Sequence, residues 1–342
     1  MSEKVNTTYV ENRYNEPAPR PGVGQKTKRH CARWWWLHLI IFCVVFLIIA
    51  LCLVYVAMPH IAQHDVNKST LTFTELDFLE PTADSVTITQ KGILHSSSMY
   101  TPTLDPFTAS SWLVTNGTFG ANPILTVEMP KIHAMHGDNN VSVSSQVASV
   151  VDTNQLNAFT IAALNQEYIT TALTGKTKLH EGALPVTTVS YNKSTTYKGL
   201  NRLAGFNVTS PNINLTAATG APNFSGFAFI PNPSIMTFAM GNVTLSLATA
   251  QAGIIGNATV ENMTLVPGNN SLPMTAIIDQ LSVIGSMDKS GNVLLEITGT
   301  SAVYNGVHLA YYEAALKSNV LSLEMNIAAV LAGSAASAAA SA

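Results

Sequence analysis

The sequence predicts a mainly β protein in which one N-terminal transmembrane helix precedes two tandem β-sandwich modules with short helices. Two observations lead to this fold class. A single long apolar segment, residues 37–57, carries no charged side chain. Most of the chain after residue 58 alternates polar and apolar residues, which is the period of strands with one buried face. With 47% hydrophobic and 11% charged residues, the chain is too apolar for a disordered protein.

The apolar segment has the length and the flanks of a membrane anchor. As a helix, residues 37–57 would be about 31 Å long, close to the thickness of the hydrocarbon core. Trp34, Trp35 and Trp36 stand at one end and Tyr55 near the other, where interfacial aromatic residues are expected. A cleaved signal peptide is the alternative, but it would have a shorter apolar core nearer the N-terminus. We therefore expect an uncleaved transmembrane helix at residues 34–57.

Charge predicts the orientation of this helix. Residues 1–33 carry seven Lys or Arg and three Asp or Glu, a balance of +4, whereas the chain after residue 58 carries ten against seventeen, a balance of −7. The positive-inside rule places the basic end in the cytosol. Because residues 1–33 also contain closely spaced prolines, they predict a disordered basic cytosolic tail. Cys31, beside the membrane, is a candidate for palmitoylation, with an unmodified thiol as the alternative.

The larger part of the chain, after the span, predicts a glycosylated ectodomain. No cysteine follows residue 58, so disulfides cannot stabilise it. Its acidic balance argues against nucleic-acid binding, which needs a basic face. It contains eleven Asn-x-Ser/Thr acceptor sites, in agreement with a lumenal or extracellular location. The asparagines are Asn67, Asn116, Asn140, Asn192, Asn207, Asn214, Asn223, Asn242, Asn257, Asn262 and Asn269.

Alternating and dense apolar runs locate the strands. The predicted strands include residues 85–89, 141–143, 227–230, 242–247, 293–297 and 320–325. Short helices are predicted at about 153–165 and 309–318. Residues 173–182 and 297–306 share three identities in ten at an offset of 124 residues, the size of one sandwich. This repeat predicts modules at 68–200 and 201–328, followed by a disordered Ala/Ser tail at 329–342.

Four motifs between residues 223 and 274 resemble those of a known family. They are Pro231-Asn232-Pro233-Ser234, Gly241-Asn242-Val243-Thr244, Ile255-Gly256 and Leu265-Val266-Pro267-Gly268-Asn269-Asn270. The segment resembles the fungal single-pass membrane protein family with domain of unknown function 3712, over about residues 200–325. The resemblance implies a late-embryogenesis-abundant type 2-like sandwich, similar to immunoglobulin/fibronectin-like modules. Lipid contact and residence in the vacuolar membrane are further implications. From the residues alone, the Asn232 amide is expected to fix a turn by bonding nearby backbone.

Motifs of catalysis and metal binding are largely missing from the sequence. No Gly-x-Ser-x-Gly elbow or Gly-rich phosphate loop occurs. His133, His136 and Asp138 are spaced loosely as metal ligands, and a polar loop is the simpler interpretation. His60 and His64 lie one turn apart and are expected in the wet membrane interface, with a role in sensing acidity as the alternative. The acidic residues at positions 75, 77, 80 and 84 are expected on a solvated face.

The resulting hypothesis is a non-catalytic type II membrane glycoprotein with no cofactor and no metal. Its partners would be the lipid bilayer and a lipid ligand, a wall polymer or a membrane protein. The vacuolar membrane is favoured, with the plasma membrane or endoplasmic reticulum as alternatives. Two other functions stay open: an adaptor or spacer acting through the cytosolic tail, and a carbohydrate-active enzyme with paired carboxylates.

Overall fold

The computed structural model describes residues 23–341, with side chains described for residues 34–336. The described residues divide into two compact units, with the boundary between residues 57 and 58. The predicted mainly β class and the N-terminal apolar helix are confirmed. The helices are α1 (Val23–Cys52), α2 (Met58–Lys68), α3 (Thr153–Asn165), α4 (Gln280–Gly285), α5 (Ala310–Lys317) and α6 (Ile327–Ser341), with a π-helical turn at Leu53–Ala57 and a 3-10 turn at Asn201–Leu203.

The first unit is the apolar helix. Helical backbone from Trp34 onward is long and apolar enough to cross a membrane. Trp34 itself departs from helical geometry, with φ −118° and ψ 19°. Helix α1 starts at Val23, so residues 23–33 of the segment predicted as a disordered tail have helical backbone. Beyond the prolines, this stretch is rich in Lys, Arg and Gln, which favour a helix. Residues 1–22 lie outside the described part of the chain.

The second unit holds all eighteen strands found in the described chain. The first ten are β1 (Thr70–Leu79), β2 (Ser85–Ser96), β3 (Thr103–Leu104), β4 (Phe107–Thr115), β5 (Thr118–Phe119), β6 (Leu125–Met129), β7 (Ile132–His133), β8 (Gly137–Ser149), β9 (Tyr168–His180) and β10 (Thr187–Lys198). The others are β11 (Asn207–Ile213), β12 (Phe224–Asn232), β13 (Met236–Thr249), β14 (Gly253–Leu265), β15 (Gly268–Ile278), β16 (Asn292–Tyr304), β17 (Val307–His308) and β18 (Val320–Asn326). All six strand segments predicted from periodicity lie inside these strands, and α3 and α5 match the two predicted helices.

The strands form two sheets. The eleven-stranded sheet runs β11-β12-β15-β14-β13-β1-β2-β8, with β16, β17 and β18 attached through β13. The seven-stranded sheet runs β5-β4-β9-β3-β7, with β10 on β9 and β6 on β4. Apolar side chains from both sheets and from α3 and α5 form one continuous core. This core is what stabilises the unit, since no cysteine is present to form a disulfide.

The two halves of this unit share part of their strand pairing, although β14 pairs β15 in the second half while β6 and β8 lie in different sheets in the first. In the first half β1 pairs β2 and β2 pairs β8, while β6 pairs β4, β4 pairs β9 and β9 pairs β10. In the second half β11 pairs β12 and β12 pairs β15, while β14 pairs β13, β13 pairs β16 and β16 pairs β18. A helix follows β8 in one half and β15 in the other, and in both the helix N-cap is an aspartate, Asp152 or Asp279.

A buried asparagine also recurs at matching places. The Asn139 Oδ1 accepts from the Met135 amide and its Nδ2 donates to the carbonyls of Leu94, Met135 and Gly137. The Asn270 side chain makes the equivalent four bonds to Val266, Ile230 and Gly268. Each asparagine therefore ties the turn before β8 or β15 to a neighbouring strand.

The halves are nevertheless not separate in space. Strand β1 pairs in parallel with β13, with Leu76 opposite Met236 and Phe78 opposite Phe238. The rings of Phe78 and Phe238 stack with centroids 5.3 Å apart. Thr160 on α3 donates to the carbonyl of Tyr311 on α5 at 2.8 Å. A division into two tandem modules at residue 200 is therefore not confirmed, because strands from both halves share one sheet.

The tail predicted as disordered is helical in the structure. Helix α6 begins after Asn326, whose side-chain oxygen accepts from the Ala329 amide at 2.7 Å and so caps the first turn. Alanine has the highest helix propensity, and Val330 and Leu331 pack against the core. The Ser334 hydroxyl accepts from the Ile213 amide at 3.0 Å, which fixes α6 to β11. The alanines thus form a docked helix.

Gly241 is the point where β13 changes partner. Before it, β13 pairs β1, and beyond it β13 pairs β16. The register of β13 with β14 shifts on both sides of Gly241, which has φ +72°. A Cβ at this position would lie 2.2 Å from the carbonyl oxygen of Val303. Only glycine fits this bend, which lets one strand serve two neighbours.

Replacing Gly241 by alanine is expected to destabilise the ectodomain by about 3 kcal/mol or more, because a left-handed backbone and a steric clash act together. Gly253→Ala is the matched control. Gly253 has φ +69°, but no atom lies within 4 Å of the place that a Cβ would occupy, so the control should lose about 1–2 kcal/mol. Denaturant unfolding of the two variants provides the measurement. Equal losses would show that Val303 does not restrict this bend.

Candidate functional site

An apolar cleft lies between helix α2 and the first half of the sandwich. Its walls come from α2, the segment that joins β2 to β3, the turn before β8, and strands β9 and β10. The lining residues are Met58, Ile61, Ala62, Asp65, Val66, Ser69, Leu94, Ser96, Ser98, Tyr100, Pro102, Leu104, Ala134, Leu179, Glu181 and Tyr191. The space, counted together with the open solvent at its mouth, is about 600 Å³.

Helix α2 forms one wall because of its side-chain spacing. Met58, Ile61, Ala62 and Val66 recur at the three- and four-residue intervals that place side chains on one helix face. His60 and His64 lie on the other side and are exposed. The two histidines therefore do not enter the cleft.

Two polar groups hold α2 against strand β10. The Gln63 side chain donates to the Ser190 carbonyl at 2.9 Å and accepts from the Ser190 amide at 2.7 Å. It thus replaces a neighbouring strand at this edge of the sheet. The Lys193 ammonium donates to the carbonyls of Val66, Asn67 and Ser69 at the end of α2. These are carbonyls that the helix itself leaves unpaired, so Lys193 caps it.

Lys193 is an unusual residue for its position. It points inward from β10 and is only 4% exposed. Burial lowers its pKa to about 8, although the three carbonyl acceptors favour the ammonium form. At neutral pH the side chain therefore stays charged and also complements the negative end of the α2 dipole.

Polar atoms are few inside the cleft. Ser98 donates from its hydroxyl to the Asp65 carboxylate at 2.6 Å. The Tyr191 hydroxyl and the Glu181 Oε2 are buried without a hydrogen-bond partner among the described residues. Burial raises the pKa of Tyr191 far above its ordinary value, so the phenol stays neutral.

Two exposed methionines are sequence neighbours of residues that line the cleft. Met99 is 90% exposed and Met135 is 54% exposed. Their segments are joined, because the Ala134 amide donates to the Pro102 carbonyl at 2.9 Å. Tyr100, on the same segment as Met99, both lines the cleft and faces solvent. Exposed, flexible methionines suit contact with an apolar surface.

The predicted glycosylation residues lie at the surface with one exception. Ten of the eleven asparagines are exposed. Asn223 is half-buried, and its side chain bonds both the amide and the carbonyl of Ile278 at 2.8 Å. Cys31, the palmitoylation candidate, lies outside the residues whose side chains are described. Ten acceptor sites are thus accessible at the surface of the ectodomain.

The predicted metal ligands are not brought together. His133 pairs with Thr103, His136 with the carbonyl of Ser98, and Asp138 with His95. Among the described residues no cluster of three or more His, Cys, Asp or Glu could hold a metal ion.

The acidic residues near position 80 also make separate contacts. Glu75 forms an exposed ion pair with Lys91 at 2.8 Å, and Glu80 accepts from Thr87 at 3.0 Å. Asp84 is exposed at the β1–β2 turn. These carboxylates therefore lie on a solvated surface.

Asn232 has the structural role that the sequence predicts. It is 2% exposed, its Nδ2 donates to the Met236 carbonyl at 2.8 Å, and its Oδ1 accepts from Ser234. The cleft residues Gln63, Tyr191 and Lys193 were missed. The available signal was a lysine on the inward face of the alternating run Tyr191-Asn-Lys193-Ser-Thr195-Thr-Tyr197, because a buried lysine needs acceptors.

The pH dependence of the free energy of unfolding tests whether burial lowers the pKa of Lys193. Between pH 8 and the ordinary lysine pKa near 10.5, the unfolded chain keeps the Lys193 proton while the folded chain has released it. In this range Lys193 therefore increases the free energy of unfolding as pH rises, by up to about 1.4 kcal/mol per pH unit. The Lys193→Met variant should not show this increase. Denaturant unfolding of both proteins at several pH values gives the difference, and a difference that stays constant from pH 8 to 10.5 would contradict the assignment.

Comparison with known proteins gives one family. The family described as Protein of unknown function (DUF3712) matches residues 122–247, which supports the predicted resemblance. The matched range starts earlier than the predicted 200–325 and crosses residue 200. It includes the motifs at 231–234 and 241–244 but not those at 255–256 and 265–270. Among curated proteins none matches this chain.

Solved structures that match include a red sea bream transglutaminase and the periplasmic chaperone SfaE. The first is 11% identical over 74% of this chain and 31% of its own length, with a TM-score of 0.21. The second is 11% identical over 75% of this chain and 98% of its own, with a TM-score of 0.16. Both scores are too low to support an argument about fold or function. The chain spans less than a third of the transglutaminase, and its relationship to known proteins rests on the match to the DUF3712 family.

Proposed function

We propose that this protein is a non-catalytic, single-pass type II membrane glycoprotein whose ectodomain binds lipid in the α2 cleft. The observation that carries the proposal is an apolar cleft whose wall begins at Met58, immediately after the uncharged apolar segment of residues 37–57. Ile61, on that wall, is four residues from Ala57, so the backbone limits their separation to about 14 Å. A lipid leaving the bilayer surface would have only a short distance to travel.

The chemistry of the cleft supports an apolar ligand. Its lining is mostly aliphatic, and the polar pair of Asp65 and Ser98 satisfies itself. Each methylene of an acyl chain that leaves water contributes about 0.8 kcal/mol. The exposed Met99 and Met135 would contact the membrane surface or the ligand as it enters. We also propose that the ectodomain consists of two related β-sandwich modules of the immunoglobulin/fibronectin-like kind, as in late-embryogenesis-abundant type 2 domains. The shared strand pairings and the asparagines at matching places support this fold assignment.

Orientation and location are part of the same proposal. The basic flank before Trp34 favours a cytosolic N-terminus, and the exposure of ten acceptor asparagines agrees with a lumenal or extracellular ectodomain. A fungal origin and the vacuolar membrane are favoured, with the plasma membrane and endoplasmic reticulum as alternatives. The adaptor hypothesis depends on residues 1–33, whose side chains are not described, and the carbohydrate-active enzyme has no observation in its favour.

Glycan mapping tests the orientation. Treatment of the full chain from cells with an N-glycosidase should increase its electrophoretic mobility. Asn214→Gln should remove one glycan because Asn214 is exposed, whereas Asn223→Gln should remove none, since the Asn223 amide is committed to Ile278. An ectodomain without any glycan, and digested by protease added to the cytosolic side, would overturn the orientation.

A cleft-filling variant tests lipid binding. Ala62→Trp places a large side chain in the cleft from the half-buried face of α2, whereas His64→Trp adds the same group on the exposed face. The full chain in nanodiscs is exposed to a phospholipid with a diazirine in its acyl chain, irradiated, and mapped by peptide mass spectrometry. We expect roughly tenfold less labelling of cleft peptides in Ala62→Trp, from the lost burial of about two methylenes.

The experiment has an internal standard and a matched control variant. Labelling of residues 34–57 by surrounding lipid provides an internal standard, which should be equal in all proteins. His64→Trp should label the cleft like the unmodified chain. Equal cleft labelling in both variants, or none in any protein, would refute lipid binding at this site.

A further inference from the structure

We propose that the natural ligand of the cleft is an apolar molecule with a neutral hydroxyl end, such as a sterol or a diacylglycerol, bound with its hydroxyl inward between Tyr191 and Glu181. This inference rests on the proposed lipid-binding function and names the ligand class. It starts from the two polar atoms of the wall that have no hydrogen-bond partner among the described residues.

Tyr191 is the more informative of the two. It is 1% exposed, and its ring packs against Phe107 with centroids 5.2 Å apart. Two other buried tyrosine hydroxyls are paired: Tyr197 accepts from Thr171 and Tyr311 donates to the Thr82 carbonyl. The Tyr191 hydroxyl has no such partner among the described residues although it belongs to the cleft wall. A buried unpaired hydroxyl is unfavourable, so a group that pairs with it gains a full hydrogen bond.

Glu181 supplies the complementary group. Its Oε2 is buried in the wall of the same cleft and accepts no hydrogen bond within the described chain, from Tyr191 or from any other residue. A carboxylate only accepts, whereas a neutral phenol donates and accepts. A ligand hydroxyl within reach of both would donate its proton to Glu181 and accept the Tyr191 proton.

Charge in the cleft argues against ionic head groups. None of the lining residues is Lys, Arg or His, while Asp65 and Glu181 are acidic. The nearby cation Lys193 already donates to three carbonyls at the end of α2. A phosphate or carboxylate would therefore be buried beside like charge. An ammonium would lose its hydration, would meet one unpaired carboxylate, and would leave the Tyr191 proton without an acceptor.

A set of matched probes tests the ligand class. Four probes share one long alkyl chain with a diazirine near its middle and end in a hydroxyl, a methyl, an ammonium or a carboxylate. Full-length protein in nanodiscs is titrated with each probe, irradiated, and mapped by peptide mass spectrometry. The hydroxyl probe should label cleft peptides at roughly three- to tenfold lower concentration than the methyl probe, the effect of one net hydrogen bond or slightly more.

Single substitutions test whether Tyr191 and Glu181 cause the preference for the hydroxyl probe. Tyr191→Phe and Glu181→Leu should each bring the hydroxyl probe to the level of the methyl probe, while methyl labelling is unchanged. Tyr197→Phe is the matched control, because Tyr197 is a buried tyrosine on the same strand outside the cleft lining, and it should keep the preference. Tyr191→Phe should unfold at the same or higher denaturant concentration, because it removes an unpaired hydroxyl.

The outcomes separate this inference from the proposed function. Absence of cleft labelling by all four probes would refute lipid binding itself. Equal labelling by the hydroxyl and methyl probes, or stronger labelling by the ammonium or carboxylate probe, would leave lipid binding in place and overturn the hydroxyl assignment. Loss of stability in Tyr191→Phe would show that the hydroxyl has a structural partner, and would also overturn it.

Discussion

The cleft depends on one buried cation. Lys193 reaches from the inward face of β10 to the last carbonyls of α2, and without it the end of that helix would face an apolar interior with unpaired acceptors. Gln63 adds a second attachment by acting as a strand partner for Ser190. Because α2 is one wall of the cleft, these two side chains determine its shape. The fold thus uses an energetically demanding lysine to position a helix that begins directly after the span.

The eighteen strands of the described chain fall into two halves, and strands β1 and β13 pair across them. The halves share part of their strand pairing, and in each a buried asparagine fixes one turn. The cleft with α2 is built on the first half, while α6 docks on β11 in the second half. The two helices thus cover different halves of the unit, and an apolar space lies beside each of them. The join through β1 and β13 makes the halves share a core.

Local patterns of the sequence predicted most of the fold, and long-range contacts account for what was missed. Alternation located strands such as Val320–Asn326, and the Leu156 and Phe159 spacing located α3. The pairing of β1 with β13 spans only three residue pairs about 160 positions apart, and no periodicity encodes it. Lys193 meets Val66 across 127 positions, so the strand alone did not reveal its partner. The terminal alanines were misread because a capping Asn326 and a docking surface decide whether such a segment folds.

The parallel contact of β1 with β13 limits how the ectodomain can be divided. A fragment that ended near residue 200 would leave the edge of β1 open at residues 76–78, with exposed backbone donors and acceptors and an unstacked Phe78. Open apolar edges invite pairing between chains. The complementary fragment would lose the strand against which residues 236–238 align. Natural truncation at this boundary would therefore yield aggregation rather than a working half, so both halves must be inherited and folded together.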